Sequence, residues 1–219
     1  MIRAHGGSMI IAIDGPAAAG KGTLAKRIAA ALNLPYLDTG ILYRATAKRV
    51  LEAGQDPDDV QAALAAAQAL AAEDLKRTDL RDAATSKAAS QVASILQVRQ
   101  ALLDFQRHFG NSHGAVLDGR DIGTIIFPHA DVKLFVTASV EARAERRYKE
   151  FLAKGENIEL ADVIADVHAR DEADRTRAAA PLMMAMDAEL IDTTGMDADA
   201  AFARALELIR HKIDYQKNI

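Results

Sequence analysis

Positions 15–23 read Gly-Pro-Ala-Ala-Ala-Gly-Lys-Gly-Thr, set between the apolar run Met9–Ile13 and the helical pattern Leu24–Leu32. The stretch places a buried strand, a tight glycine turn and a helix in immediate succession. The rest of the chain repeats that alternation of short apolar runs with longer helical ones, the mark of a parallel sheet covered by helices. At the turn, backbone N–H groups converge on the positive end of a helix dipole, which suits a polyphosphate. Gly15 and Gly20 bracket four residues and Lys21 follows, as in the phosphate-binding loop. The next position departs: Gly22 stands where that pattern has serine or threonine, and the hydroxyl arrives at Thr23. A loose glycine pattern would be read as a mere turn; here strand, glycines, lysine and helix fall in the right order.

The pattern predicts strands at Met9–Ile13, Tyr36–Leu37, Ala115–Leu117, Val132–Thr137 and Leu190–Ile191. Helices are expected after the first loop and at Ile41–Ala53, Asp58–Ala72, Ala83–Phe109 (broken near Ser94), Val140–Lys154, Leu160–Asp174 and Ala198–Lys212. Ser139 and Asp197 are read as N-caps. Gly54, Gly110 and Gly155 sit where helices should stop. The alanine-rich stretch Gln61–Ala72 is read as a surface helix, since alanine is the strongest helix former. The fold class is therefore α/β, a five-stranded parallel sheet of the P-loop NTPase type, in one domain over 9–219. Met1–Ser8 lacks an apolar signal core and is set apart as a disordered leader or a cloning remnant.

Composition narrows the function classes. The longest apolar stretches are too short to span a bilayer. There is no cysteine, which removes disulfides, thiolate metal sites and a cysteine nucleophile and fits a reducing cytoplasm. A net charge of −4 argues against general nucleic-acid binding. Arginine nevertheless outnumbers lysine 17 to 10 and gathers in clusters. Its rigid fork grips phosphate in two-pronged fashion, so a small anionic ligand is expected rather than a long polyanion. The expected partners are small molecules, with no nucleic acid, no membrane and a monomeric state.

Three segments could assemble anionic chemistry. Asp38-Thr39-Gly40 follows the second strand with Arg44 one turn on, and ligands of parallel sheets collect at that strand end. A capping turn and a solvated arginine would read the same way. Asp118-Gly119-Arg120-Asp121 follows the third strand, where an aspartate near a phosphate loop can hold Mg²⁺ or its waters. Arg170, Asp174 and Arg177 share one helix face, which by spacing alone is equally a salt-bridged surface helix. Arg143, Arg146 and Arg147 open toward Lys154-Gly155, so helix, glycine break and helix make a hinged lid. His108 and His113 are read as surface residues. The absence of an obvious base beside three arginine clusters points to an acceptor that is itself a phosphate, already ionised near pH 7. A nucleotide-dependent switch and a small-hydroxyl kinase remain open on these residues.

The segments IAIDGPAAAGKGTLAKRIA, LDTGILYRA, AASQVASILQVRQALL, DGRDIGTIIFP and RDEADRTRAAAPL run in order from Met9 to Leu182. On them the chain resembles the bacterial cytidylate kinases, within the nucleoside monophosphate kinases. The resemblance implies transfer of the ATP γ-phosphoryl group to CMP or dCMP, with Mg²⁺ held through the ATP phosphates and water, and with Asp118 as its one candidate protein partner. It implies that Gly15, Pro16, Ala17, Ala18, Ala19, Gly20, Lys21, Gly22 and Thr23 bind ATP with Arg146 and Arg147. Lys21, Asp118, Arg120 and Arg177 would act on the transferred group. Thr39, Arg44, Arg99, Arg120 and Asp121 would surround the acceptor phosphate and its neighbourhood, while Ser90, Arg170, Asp174 and Arg177 would read cytosine, sugar and phosphates. A helical lid over about 148–182 and an acceptor segment over about 56–109 follow from the same likeness. Two departures stand out. Glu73–Arg81 is too short for the small β-rich insert many members carry, which leaves the acceptor side more open, and Thr39 replaces a serine common among relatives. The Gly22-Thr23 order is shared with monophosphate kinases. A kinase for UMP or AMP is the nearest alternative.

Overall fold

The computed structural model describes residues 9–153 and 155–216. The leader expected at Met1–Ser8, the helix end expected at Lys154 and the domain's last residues, 217–219, lie outside the described residues. Five parallel strands form one sheet: β1 (Ile10–Asp14), β2 (Tyr36–Asp38), β3 (Ala115–Gly119), β4 (Val132–Thr137) and β5 (Glu189–Asp192), in the order β2-β3-β1-β4-β5. The chain leaves β3 on one side of β1 and re-enters as β4 on the other. That topological switch opens the crevice in which ligands of such sheets bind, outside the carboxyl end of β1. The register brings Asp14 beside Gly119 and both Ile13 and Asp38 beside or across from Asp118, so three strand-ending aspartates share one rim.

The helices among the described residues are α1 (Lys21–Leu32), α2 (Thr39–Glu52), α3 (Val60–Gln68), α4 (Ala83–Val92), α5 (Leu96–His113), α6 (Val140–Ala153), α7 (Leu160–Thr176) and α8 (Ala198–Gln216). The caps expected at Ser139 and Asp197 form: Ser139 Oγ accepts from the Ala142 N–H at 3.1 Å, and Asp197 Oδ1 from Ala200 at 2.8 Å. Gly54 and Gly155 end their helices with φ of 66° and 76°. Gly110 does not. It lies inside α5, which runs on to His113 and stops at Gly114. A Cβ at Gly110 would come within 2.4 Å of the Phe127 ring, so this glycine serves close packing. His108 and His113 are exposed.

The core forms in four clusters. On one sheet face Ile11, Ile13, Val116, Leu134 and Val136 pack against Leu24 and Ile28 of α1 and Leu208, Ile209 and Ile213 of α8. On the other face Ile10, Ala12 and Leu117 meet Ile122, Ile126 and Phe127. Helices α2 to α5 make a third cluster in which alanines at 47, 63, 67, 88 and 89 let helices approach closely. The alanine-rich helix is thus shorter than expected, ending at Gln68, and its Ala62, Ala63 and Ala67 are buried rather than lying on the surface. Helices α6 and α7 share a small core of their own: Ala144, Phe151, Val163 and Val167.

Gly15 is the tightest point. Its φ is +146°, and a Cβ there would sit 1.9 Å from the Val136 carbonyl oxygen, a backbone atom of β4. Both the dihedral and the clash act together, so Gly15→Ala is expected to cost more than about 3 kcal/mol. Thermal denaturation should show Tm lower by roughly 6–12 °C. A drop under about 2 °C would mean that β1 and β4 can part without penalty.

Candidate active site

The phosphate loop holds three residues in the left-handed region, Gly15, Ala18 (φ 58°) and Gly20 (φ 85°). Gly20 caps α1 with no side-chain acceptor, and the first turn of α1 carries no acid. The leading amides of α1 and its dipole are therefore left for an external anion. The Lys21 ammonium is buried and donates to the Pro16 carbonyl at 2.7 Å. Burial, with Arg120 nearby, pushes it down to about 7 against the opposing pull of Asp118, Asp174 and Asp14.

Two further acids line the rim. Asp118 receives the Tyr36 hydroxyl at 2.8 Å, and its backbone carbonyl receives Thr39 Oγ1 at 2.8 Å. Burial raises the Asp118 carboxyl, with Asp38 adding to it and Lys21 opposing. Asp14 ends β1 and accepts from the amides of Ile122 (2.8 Å) and Gly123 (2.7 Å). It ties the segment after β3 to the strand that feeds the phosphate loop. That segment, Ile122–Ile126, is a π-helical turn.

Opposite these acids lies a basin of guanidinium groups. Arg120 Nε donates to Asp174 Oδ2 at 2.7 Å. Arg99 pairs with Asp121, donates to the Ala93 carbonyl at 3.2 Å and lies over the Tyr43 ring. Arg177 stands 3.8 Å from both Asp121 and Asp174, too far to hydrogen-bond either. Arg44 donates to Asp38 at 2.7 Å. Arg170 is pushed down to about 10, by burial first and then by Arg120. Among the described residues four buried side-chain atoms lack a hydrogen-bond partner, and three belong to these arginines: Arg44 Nε, Arg170 Nε and Arg177 Nη2. Buried donors without partners are costly, and a phosphate oxygen is the acceptor that arginine forks fit best. Burial would raise Asp174, yet Arg120, Arg170 and Arg177 hold its carboxyl below the usual carboxylate range.

The expected residues therefore fall into two groups. Lys21, Asp118, Arg120, Thr39, Arg44, Arg99, Asp121, Arg170, Asp174 and Arg177 share the rim and basin. Ser90 is half-buried on α4, which packs near α7. Gly22 and Thr23 open α1; a Cβ on Gly22 would lie 3.9 Å from Asp118 Oδ2, and Thr23 faces a cavity of about 270 Å³. That cavity is also lined by Ala19, Gly20, Arg146, Thr193 and Met196. Arg146 donates to the Thr193 carbonyl at 2.6 Å beside the cavity, and Arg147 pairs with Glu150 at 3.2 Å, lies over the Phe151 ring and adds to the positive field on Arg170.

Several residues escaped the sequence reading. Asp14 carried the same signal as Asp118, an acid closing an apolar strand. Tyr36 carried none. Arg81 belongs to the short connector between α3 and α4, where the described residues form turns and one 3₁₀ turn, Asp74–Lys76, with no strand. Ion pairs of Arg49 with Asp74, Glu52 with Arg77, and Lys48 with Asp79 and Asp82 fasten that connector to α2, and Arg77 also pairs with Asp79 within it. Buried Leu80 anchors it, and Arg81 reaches Asp38 at 3.1 Å, on the oxygen that Arg44 also uses. The connector thus adds a cation to the rim at Asp38.

The chain matches the cytidylate kinase family model over residues 11–211. The cytidylate kinase of Acidiphilium cryptum (strain JF-5) is 62% identical over 201 residues, covering 92% of this chain and 95% of that protein. That of Paramagnetospirillum magneticum (strain ATCC 700264 / AMB-1) is 58% identical over 209 residues, covering 94% and 99%. A crystal structure of an uncharacterized protein from Eubacterium ventriosum ATCC 27560 covers 93% of this chain and 99% of its own, with a TM-score of 0.56 at 14% identity, a likeness of fold alone. A shared fold does not produce identity of that order across nearly the whole of both chains, and the chain belongs to the cytidylate kinase family.

Proposed function

We propose that this protein transfers the γ-phosphoryl group of ATP to CMP or dCMP, giving ADP and CDP or dCDP. The observation that carries the reading is the basin of partly unpartnered arginines beside a phosphate loop, with Asp174 held ionised within it. An oxygen of the acceptor phosphate forms the new bond to the γ-phosphorus, and the bond from that phosphorus to the β-bridging oxygen breaks. The acceptor oxygen is already ionised, so no base is needed, and the protein's task is alignment and neutralisation. The Gly15–Thr23 loop and α1 amides hold the ATP phosphates, Lys21 leaves Pro16 for the transferred group, and the cavity beside Arg146 takes the adenosine side. Thr39, Arg44, Arg99, Arg120 and Arg177 surround the acceptor phosphate with Asp121 restraining Arg99. Cytosine offers an N4 amino donor beside N3 and O2 acceptors, which a carboxylate and an arginine satisfy in opposite senses. Asp174, with Ser90, faces the first and Arg170 the second.

A hard carboxylate that spares Mg²⁺ its other waters and phosphate ligands fits the ion's habits, and Asp118 at the rim beside Gly22 supplies one. Mg²⁺, when bound with ATP, neutralises charge on the phosphates. The hairpin of α6 and α7, with its separate core, serves as the lid over about 148–182. On this reading the enzyme works as a monomer in the cytoplasm. No described helix is long and apolar enough to cross a membrane.

The test is an acceptor panel of CMP, dCMP, UMP and AMP with ATP and Mg²⁺. ADP release should depend on added CMP or dCMP, with kcat/KM at least about tenfold above that for UMP. Equal rates for UMP and CMP would overturn the cytosine reading, and ADP release without acceptor would favour a switch.

A further inference from the structure

We infer that the Arg143–Asp171 ion pair is a positioning joint that sets the base-reading face of α7 against the phosphate loop. The pair sits behind the arginine basin and touches no reacting group in the scheme above. Arg143 and Asp171 side chains are only 3% and 6% exposed. Arg143 Nη1 and Nη2 donate to the two Asp171 oxygens at 2.8 and 2.5 Å. Its Nε donates to the Ala138 carbonyl just beyond β4 at 2.9 Å, and Nη1 also reaches the Ala17 carbonyl at 3.3 Å. One guanidinium therefore fastens sheet, loop and helix together.

Both ends of the joint lie next to the chemistry. Ala17 stands between Pro16, whose carbonyl holds the Lys21 ammonium, and Ala18, held left-handed. Asp171 directly follows Arg170 and precedes Asp174 by three residues. Adhesion alone is a poor reason for such a pair, because burying two charges carries a desolvation cost of several kcal/mol per ion. The same two helices already adhere through Ala144, Phe151, Val163 and Val167. What the pair adds is direction. A two-pronged fork fixes rotation and register, and α7 turns its side chains by about 100° for each residue of slip.

The inference rests on the proposed reaction, so the wild-type acceptor panel is run alongside. Asp171→Asn keeps the volume and removes the charge; Arg143→Lys keeps the charge and removes the fork. The readouts are KM for ATP and the ratio of kcat/KM for CMP to that for UMP, neither of which depends on how much enzyme is folded. In Asp171→Asn the ratio should fall at least about fivefold and KM for ATP rise at least about threefold, with Arg143→Lys moving the same way. Should either single variant fail to fold, the apolar pair Arg143→Met with Asp171→Leu fills the space without stranding a charge and should show the same shifts. Wild-type values of both readouts in folded variants, with only Tm lowered, would make the pair structural and overturn the inference. A wild-type enzyme without preference for CMP would instead sink the reaction assigned to the site, and the KM for ATP would then judge the joint by itself.

Discussion

Lys21→Ala should reduce kcat by about 10²–10³-fold, the loss typical when one preorganised charge is removed from a transferring group. The ammonium is buried, and in the structure it holds on to the Pro16 carbonyl at the edge of the loop. No second lysine stands in the loop, and Arg120, whose charge acts on Lys21, is engaged with Asp174. Alanine leaves the loop's backbone path unchanged, so the variant should fold, and the loss belongs to chemistry. A proton measurement separates this from a general disturbance. Burial, with Arg120 nearby, pushes the pKa of Lys21 well below that of an ordinary lysine before ATP binds. The polyphosphate favours the ammonium and raises its pKa, so binding at pH 8 should take up protons. Calorimetry in buffers of different ionisation heat should detect that uptake in the wild type and its loss in Lys21→Ala. A kcat within threefold of wild type would place Lys21 outside the reaction, and undiminished uptake would assign the proton to another group.

The same loop shows what a linear sequence can and cannot convey. Strand, turn and helix are local patterns, and each carries its signal within a few residues, so all five strands and the Asp38, Asp118 and Arg120 rim were legible. Pairings across the sheet were not. Asp14 finds its donors at Ile122 and Gly123, 108 and 109 residues away, and Arg143 finds Asp171 across the hairpin of α6 and α7. Nothing local distinguishes Asp171 from Glu172, although one is buried and the other exposed. Gly110 misled for a related reason. Its helix-stopping tendency is intrinsic, whereas its place inside α5 depends on the Phe127 ring from a later segment. Arginine clustering pointed to an anion site but not to each member's partners: Arg147 meets Glu150 and Phe151 as well as the field of Arg170, and Arg81, in the segment too short for the insert, reaches Asp38.

Arg120→Ala should be the second large effect, with kcat lower by about 10²–10³-fold and KM for CMP higher by about tenfold. In the proposed reaction Arg120 stands between the donor and acceptor phosphates. It lowers the pKa of Lys21 on the donor side, and on the acceptor side its Nε holds Asp174 at 2.7 Å. Its remaining edge is anchored by the Gly119 carbonyl at 3.2 Å, which fixes the direction of the fork. On the proposed scheme truncation removes a charge from the transferring phosphoryl together with the partner that Asp174 has in the structure. Folding should survive, because Asp174 keeps Arg170 and Arg177 as neighbours, and both lower its pKa. Arg120→Lys discriminates between charge and geometry. A lysine restores a point charge but not the planar two-pronged contact, so it should recover no more than about tenfold of the lost kcat. Full recovery by lysine would mean that charge alone matters at this position. Steady-state kinetics of both variants against CMP decide the matter, and a kcat for Arg120→Ala within threefold of wild type would remove Arg120 from the transfer step.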